Sequence, residues 1–402
     1  MVAESLDRLS RDLADIAMAV PFFILAAELM TACGLTASLL RFADHLVGHI
    51  RGGLGHVNVL LSMLFAGICG SALADAAGPG AVALRMMRDA DYHAPYAGAL
   101  SAATATTGPI IPPSILMVIY ALSDNQVTVA GLFLAGVVLR LMLGLALALT
   151  NHVISLRRGY QFRSARPALA ELGRSFLEAL PALIMPAIII GGILGGVFTP
   201  TEAGAAAVAY AIPIGLFVTR TMTPSGIARV FVRAGVITAS VLLIVAMAKI
   251  FAWVLTILQI PQTLAAGFVG ITTDPLIALV LLALFALACG LVIDTLPALI
   301  ILVPVLGPIA AQFGIDPLHF AMMLVLNLTI GMVTPPVGPV LFVISTVGRI
   351  RLEALARAIL PLLFAELAVL ALVMLFPALS TTVPRLFGML TDWINQRSRR
   401  LR

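Results

Sequence analysis

The hydrophobic pattern of this chain consists of long apolar runs separated by short polar stretches. A run of about 20 apolar residues matches a helix crossing hydrocarbon, whereas a run of about ten does not reach across. Ile16 to Cys33, Val129 to Ile154, Phe176 to Val197, Arg229 to Leu258 and Ile359 to Leu379 read as spans, and Ala203 to Thr219 as a further helix. Ser5 to Asp15 is polar and reads as a short interfacial helix. Gly34 to Gly53 sets Arg41, Asp44, His45, His49 and Arg51 among apolar residues at helical spacing, the pattern of a helix lying in the membrane interface. His45 and His49 stand four apart on one face, but no third ligand is near, so they read as polar surface rather than as a metal pair.

Four regions depart from the simple span. Val57 to Met87 and Pro275 to Pro308 are apolar but interrupted, with pieces too short to cross, and read as re-entrant hairpins. The first turns at Gly70 to Gly80, and Cys289 to Pro297 resembles Cys69 to Asp75. Tyr96 to Tyr120 and Phe320 to Ile344 read as broken helices. The first holds Thr-Ala-Thr-Thr-Gly-Pro-Ile-Ile-Pro-Pro-Ser at Thr104 to Ser114; the second holds Asn-Leu-Thr-Ile-Gly-Met-Val-Thr-Pro-Pro-Val-Gly at Asn327 to Gly338. Each proline lacks an N–H and clashes with the carbonyl one turn back, so the helix must unwind. Unwound backbone at membrane depth is tolerated only inside protein or beside a watery cavity. Its carbonyls, with the hydroxyls of Thr106, Thr107 and Ser114, are hard oxygen ligands suited to a small cation. Gly70 stands 42 residues before Pro112 and Gly290 45 before Pro335, so the two halves repeat at an offset of about 220 residues. Paired interrupted spans in corresponding halves point to the substrate and ion site of a secondary transporter. An odd number of crossings between the halves would invert the second hairpin against the first, so that the tips meet near the midplane.

Composition narrows the class. Of 402 residues, 61% are apolar and 11% charged, with mean hydropathy +1.10; soluble domains carry about 25% charged residues. The chain is therefore expected to be a polytopic membrane protein. The formal charge of +5 resides almost wholly in arginine, since Lys249 is the only lysine. Arg157, Arg158, Arg163, Arg166 and Arg174 cluster opposite Glu171 alone, marking a cytoplasmic loop rather than a nucleic-acid surface. Arg349, Arg351 and Arg357 end the second repeat, and Arg397 to Arg402 form a basic tail. Cys33, Cys69 and Cys289 are odd in number and lack metal spacing, so they read as small core residues. No cleavable signal pattern is expected at the start.

Charged residues inside apolar runs need a reason. Asp75 at membrane depth costs about 2.5–3.5 kcal/mol on insertion scales, so it reads either as a functional or paired group or as a cap on the second hairpin arm. Ser71 offers its hydroxyl to an ion or to a carbonyl one turn back. Lys249 either snorkels to the interface near Trp253 or pairs with a carboxylate. Thr199-Pro200-Thr201-Glu202 reads as a capping box, ahead of any binding role for Glu202. Thr223-Pro224 and Asp316-Pro317 read as two more helix starts.

These motifs together resemble the large membrane subunit of the tripartite ATP-independent periplasmic (TRAP) transporters, the DctM-like permeases. The matching runs are Pro21 to Met30, Gly67 to Asp75, Gly108 to Ser114, Phe198 to Ala203, Gly314 to Phe320 and Gly331 to Gly338, in the family's order from about residue 14 to 380. The resemblance implies an all-α polytopic membrane protein with an inverted repeat, two re-entrant hairpins, two discontinuous helices and an elevator mechanism. It implies uptake of an organic anion, such as a dicarboxylate or sugar acid, through the bacterial inner membrane on a Na+ gradient. A periplasmic solute-binding protein and a small membrane subunit would be the partners, with no cofactor beyond Na+. Carried over by position, the ion ligands are Gly70, Ser71, Thr107, Gly108, Pro109 and Pro112 in the first half, and Gly290, Asp294, Gly331, Thr334 and Pro335 in the second. Asp75, Thr106, Ser114, Asn327, Thr329 and Gly338 are the expected substrate contacts. The expected division is an N-terminal scaffold span and arm over 1–53, a first transport repeat over 54–125 and scaffold spans over 126–272. A second repeat covers 273–348, and a final scaffold span with basic tail covers 349–402. Two departures stand out. Family members begin with an additional hydrophobic span where this chain has a polar leader, and no serine follows Gly290, so the two ion sites need not be equivalent.

Two other readings stay open. A self-sufficient dicarboxylate or citrate carrier would share the inverted-repeat design without needing a binding protein. An intramembrane enzyme would need a nucleophile and base or a metal cluster. The six histidines lie mostly near segment ends, and no His-Glu-x-x-His, Gly-x-Ser-x-Gly or P-loop occurs, which leaves only a facing Asp75–Asp294 dyad. That acidic pair also keeps H+ open as the coupling ion.

Overall fold

The computed structural model describes residues 18–110, 114–124, 126–160, 167–259 and 272–388, together with 263, 267 and 270. Among these every regular element is helical. Six helices are long and apolar enough to cross a membrane, or up to eight if each bent pair counts as one span. The protein is thus an all-α, multi-pass membrane protein.

The first span, α1, runs Met18–Ala32 and bends by 73° into α2, Thr36–Val47. Leu39 and Ala43 face inward from α2, as an amphipathic helix requires, and Arg41 pairs with Glu178 at 3.0 Å. The first hairpin is α3 (Gly53–Cys69), a break at Gly70–Ser71, then α4 (Ala72–Ala77) and α5 (Pro79–Asp89). Gly70 holds φ +59°, a left-handed turn that glycine adopts without strain. The first broken helix is α6 (Ala94–Ala105), a 3-10 turn over Gly108–Ile110, and α7 (Ile115–Ser123). Pro112 lies outside the described residues.

α8 (Val129–Arg158) is the next span, 30 residues long, and it carries Arg157 and Arg158 in its last turn. α9 (Leu169–Leu194), α10 (Pro200–Pro213) and α11 (Pro224–Ile257) come next. The capping box at the head of α10 forms as expected: Glu202 N donates to Thr199 Oγ1 at 3.3 Å, and Thr199 N donates to Glu202 Oε2 at 2.8 Å. α11 is largely exposed on the protein's outer face. The side chain of Lys249, on this helix, lies outside the described residues.

The second half repeats the plan: α12 (Pro275–Gly290) and α13 (Thr295–Gln312) form the hairpin, and α14 (Pro317–Gly331) and α15 (Pro339–Gly348) the broken helix, but α13, at 18 residues, is itself one of the six helices long and apolar enough to cross, against the expectation of pieces too short to do so. Asp316 caps α14, accepting from Leu318 N and His319 N at 2.9 and 3.1 Å. The last span, α16 (Leu352–Leu375), leads to a short helix, α17 (Ala378–Leu386).

The two repeats pack by one rule. The first hairpin arm lies on the first half of its own broken helix, α3 on α6 and α12 on α14. The second arm does so too, α5 on α6 and α13 on α14. That second arm also reaches across to the other repeat, α4 to α15 and α13 to α7. Arg88 at the end of α5 donates to Gly348 O at 2.8 Å, tying one repeat to the last carbonyls of the other. α8 and α16 pack on these repeats, both touching α6 and α14.

Candidate functional site

The site is built where each hairpin tip meets a helix break. At the first, Gly108 lies so close to the tip that an added Cβ would stand 3.2 Å from Ser71 C and 3.3 Å from Ser71 O. At the second, a Cβ on Gly331 would stand 2.9 Å from Gly290 C and 3.0 Å from Gly290 O. A side chain at Gly331 would overlap the facing backbone, and one at Gly108 would require it to give by a few tenths of an ångström. Of the residues read as ion ligands, Gly70, Ser71, Thr107, Gly108 and Pro109 are grouped around the first contact, and Gly290, Gly331, Thr334 and Pro335 lie at or beside the second.

The first half-site is the more buried of the two. Thr106, Thr107, Gly108, Pro109 and Ser114 are all buried. Thr107 Oγ1 donates to Thr104 O at 2.7 Å, and Ser114 Oγ donates to Pro109 O. A hydroxyl whose hydrogen is committed to a carbonyl still has lone pairs for a cation. Ser71 does not bond a carbonyl one turn back. Its Oγ accepts from Ala74 N at 3.4 Å and so caps α4. Asp75 sits deeper in that helix and is not the cap, which removes the capping explanation offered for it from sequence.

The second half-site is more open. Thr334 and Pro335 are half-buried, and Thr334 Oγ1 donates to Ile330 O at 2.8 Å. Gly338, at φ +42°, brings Val340 N to Met332 O at 3.1 Å and closes the break. Asp294 is exposed at the hairpin tip, where its Oδ1 accepts from Thr295 N at 2.9 Å. Asp75 is wholly buried. The two aspartates thus share a sequence position but not an environment, and they do not form a facing dyad.

The remaining expected substrate contacts are buried on the two broken helices. Asn327 Nδ2 donates to Ala283 O at 2.6 Å, which leaves its Oδ1 without a partner, and Thr329 Oγ1 donates to Leu326 O at 2.8 Å. Asn327 also floors an apolar groove of about 300 Å³ between α12 and α16.

Sequence reasoning missed two buried ionisable side chains. Glu366, in the last span, is fully buried; its Oε1 accepts from Thr106 Oγ1 at 2.8 Å and its Oε2 has no partner. Arg140, in the middle of α8, is 3% exposed and donates from Nη2 to Ser62 O at 3.3 Å. The available signal was a single charge inside an otherwise apolar run.

A family model described as the tripartite ATP-independent periplasmic transporter, DctM component, matches residues 13–379. The sialic acid TRAP transporter large permease protein SiaM of Vibrio cholerae is 44% identical over 370 residues, covering 92% of this chain and 86% of that one. The C4-dicarboxylate TRAP transporter large permease protein DctM of Pseudomonas aeruginosa is 39% identical over 372 residues, 92% of this chain and 87% of that one. The 2,3-diketo-L-gulonate TRAP transporter large permease protein YiaN of Escherichia coli is 36% identical over 378 residues, 94% of this chain and 87% of that one.

Proposed function

The chain belongs to the DctM family of TRAP transporter large permeases, and from that premise we propose that it imports an organic anion across the bacterial inner membrane, driven by a Na+ gradient. It is a transporter permease and not an enzyme. The relatives are named for a sialic acid, a C4-dicarboxylate and a diketogulonate, and a further one for isethionate, so the solute of this chain is an organic anion. A periplasmic binding protein hands it over, and a small membrane subunit braces the permease.

The observation that carries the reading is the pair of glycine contacts, Gly108 on Ser71 and Gly331 on Gly290. Each sets a hairpin tip against the chain at a helix break, and among the described residues no group of three His, Cys, Asp or Glu could hold a metal ion. Na+ binds at these two places. The anion sits between them, near the positive N-terminal ends of half-helices. The two repeats move together as an elevator. The packing of α8 and α16 on α6 and α14 favours both spans travelling with the moving body, leaving α1, α2 and α9 to α11 as the fixed scaffold. Inversion of the repeats and movement of the body are parts of this proposal.

The test is the unfolding midpoint of the purified chain in NaCl, KCl and choline chloride at equal ionic strength. An ion that binds only the folded state stabilises by about 2.7 kcal/mol at 100 times its dissociation constant. The expected result is a rise in Na+ alone, lost in Thr334→Val and in Ser71→Ala. Equal midpoints in all three salts, with the protein folded, reject Na+ binding at the breaks.

A further inference from the structure

α16 buries one stripe of side chains: Leu355, Ile359, Leu362, Glu366, Val369 and Val373 follow one another at helical spacing, and all are buried. Five of the six are aliphatic, and Glu366 stands among them. An aliphatic side chain would complete the stripe, whereas a carboxyl group set there costs free energy unless its polar atoms are paired. Packing therefore does not account for Glu366, and its Oε2 has no hydrogen-bond partner. What Oε1 touches does account for it.

α16 packs along α6, and Oε1 meets the end of that helix at the first break. Thr106 is the C-cap of α6, and its Oγ1 lies 2.8 Å from Glu366 Oε1. Three threonine hydroxyls end α6, and each reaches a carbonyl of its own helix: Thr104 Oγ1 to Ser101 O at 3.3 Å, Thr106 Oγ1 to Ala103 O at 2.6 Å and Thr107 Oγ1 to Thr104 O at 2.7 Å. Among the described residues only Thr106 has a second acceptor. A hydroxyl carries one hydrogen, so Ala103 O and Glu366 Oε1 compete for it. An ionised carboxylate is the stronger acceptor of the two. With the hydrogen turned to α16, the lone pairs of Thr106 Oγ1 are left on the side away from α16. Thr107 and Gly108 follow at once, and Gly108 is the residue set against the hairpin tip at Ser71.

We propose that Glu366 is a positioning residue of the first half-site: it holds the Thr106 hydroxyl hydrogen towards α16 and so presents the Thr106 oxygen to the cation at the break. The inference rests on the Na+ reading above and adds to it a residue of the last span, 260 positions from Thr106.

The test uses the full chain in detergent. The unfolding midpoint is followed against Na+ concentration, with choline chloride holding the ionic strength, which yields a sodium-free midpoint and a half-saturating Na+ concentration. Glu366→Leu is expected to keep or raise the sodium-free midpoint, because it completes the apolar stripe, and to raise the half-saturating Na+ about fivefold, the equivalent of one hydrogen bond. Glu366→Gln keeps an acceptor oxygen and falls between Glu366→Leu and the wild type. Thr106→Val also raises the half-saturating Na+, and Glu366→Leu added to Thr106→Val raises it no further. A lower sodium-free midpoint in Glu366→Leu with unchanged half-saturation makes Glu366 merely structural and overturns the inference. So does a Glu366→Leu effect that persists in the Thr106→Val background, or a Glu366→Gln effect as large as that of Glu366→Leu, since either assigns the effect to charge alone. A wild-type midpoint indifferent to Na+ overturns the Na+ reading and this inference with it; a wild-type response left intact by Glu366→Leu overturns this inference alone. Should Glu366→Leu not fold, Glu366→Gln with and without Thr106→Val decides: a rise confined to the Thr106 background supports the positioning role, and equal rises in both backgrounds reject it.

Discussion

Gly290 and Gly331 face each other across one contact, yet the structure assigns them unequal tolerance. An alanine Cβ at Gly331 would stand 2.9 Å from Gly290 C and 3.0 Å from its Cα, both backbone atoms with no rotamer to yield. An alanine Cβ at Gly290 would stand 3.4 Å from Leu328 Cδ2 and 3.5 Å from Gly331 Cα, which is ordinary van der Waals contact. Each glycine is the last residue of its helix, α12 or α14, so the helix-propensity gain on Gly→Ala is similar at the two positions and cancels in the difference. What remains is the overpacking cost at Gly331, about 1–3 kcal/mol. At about 2.1 cal/mol/K of unfolding entropy per residue, that difference separates the midpoints by roughly 1–4 °C for a chain of this length. The assay is thermal unfolding of Gly290→Ala and Gly331→Ala side by side in detergent. Gly290→Ala is expected to match the wild type and Gly331→Ala to melt lower. If the reading of the half-site is correct, Gly331→Ala also loses the Na+-dependent part of the shift, because the tip is pushed off the break. Equal midpoints, or Gly290→Ala as the weaker variant, refute the close approach of backbone at this contact.

Two contacts outside the half-sites give further expected outcomes. Arg88→Met removes the donor to Gly348 O, which is expected to destabilise by about 1 kcal/mol and to speed hydrogen exchange in the last turn of α15 more than in α5; unchanged exchange there counts against a clamp between repeats. Thr199→Ala breaks the capping box of α10 and is expected to lower stability by about 1 kcal/mol, read by the shift in unfolding midpoint, while leaving the sodium response as it was.

Much of the fold is legible in the chain because the deciding physics is local. Span lengths come from apolar runs, and Asp316 and Thr199 announce helix starts through side chains that reach their own N–H groups. Helix breaks come from prolines that cannot donate. The candidate site is legible to the same extent: the glycines at the hairpin tips and the breaks lie where sequence places them. What sequence does not carry is partnership across distance. Thr106 and Glu366 are 260 residues apart and meet through one hydrogen bond. Arg140 reaches Ser62 across 78 residues only because Gly136 and Gly144 bring two helices together. Asp75 and Asp294 occupy matching motifs, and local pattern alone gives them the same environment. Their environments diverge because the residues after the two tips differ in size and number.

That divergence accounts for the asymmetry of the two half-sites. After Gly70 the chain continues with Ser71, which caps α4 at once, and with Ala72 and Ala76, small enough for α15 to lie close on the helix. Asp75 is thereby sealed inside. After Gly290 the chain runs Leu291-Val292-Ile293, bulky residues of which Val292 is 72% exposed, and α13 begins only at Thr295. The second arm thus starts five residues after its glycine instead of two, Asp294 stays in the exposed tip as its N-cap, and Thr334 and Pro335 are half-buried. The oxygen supply differs as well: Thr106, Thr107 and Ser114 line the first break, whereas Thr334 is the hydroxyl within the second. A cation at the first break therefore meets buried hydroxyls that are already oriented by carbonyls. A cation at the second has to draw mainly on backbone oxygens near an open tip. Two sites built on one packing rule thus differ in access, through the few residues that separate each hairpin tip from its second arm, and in ligand chemistry, through the hydroxyls that each helix break carries.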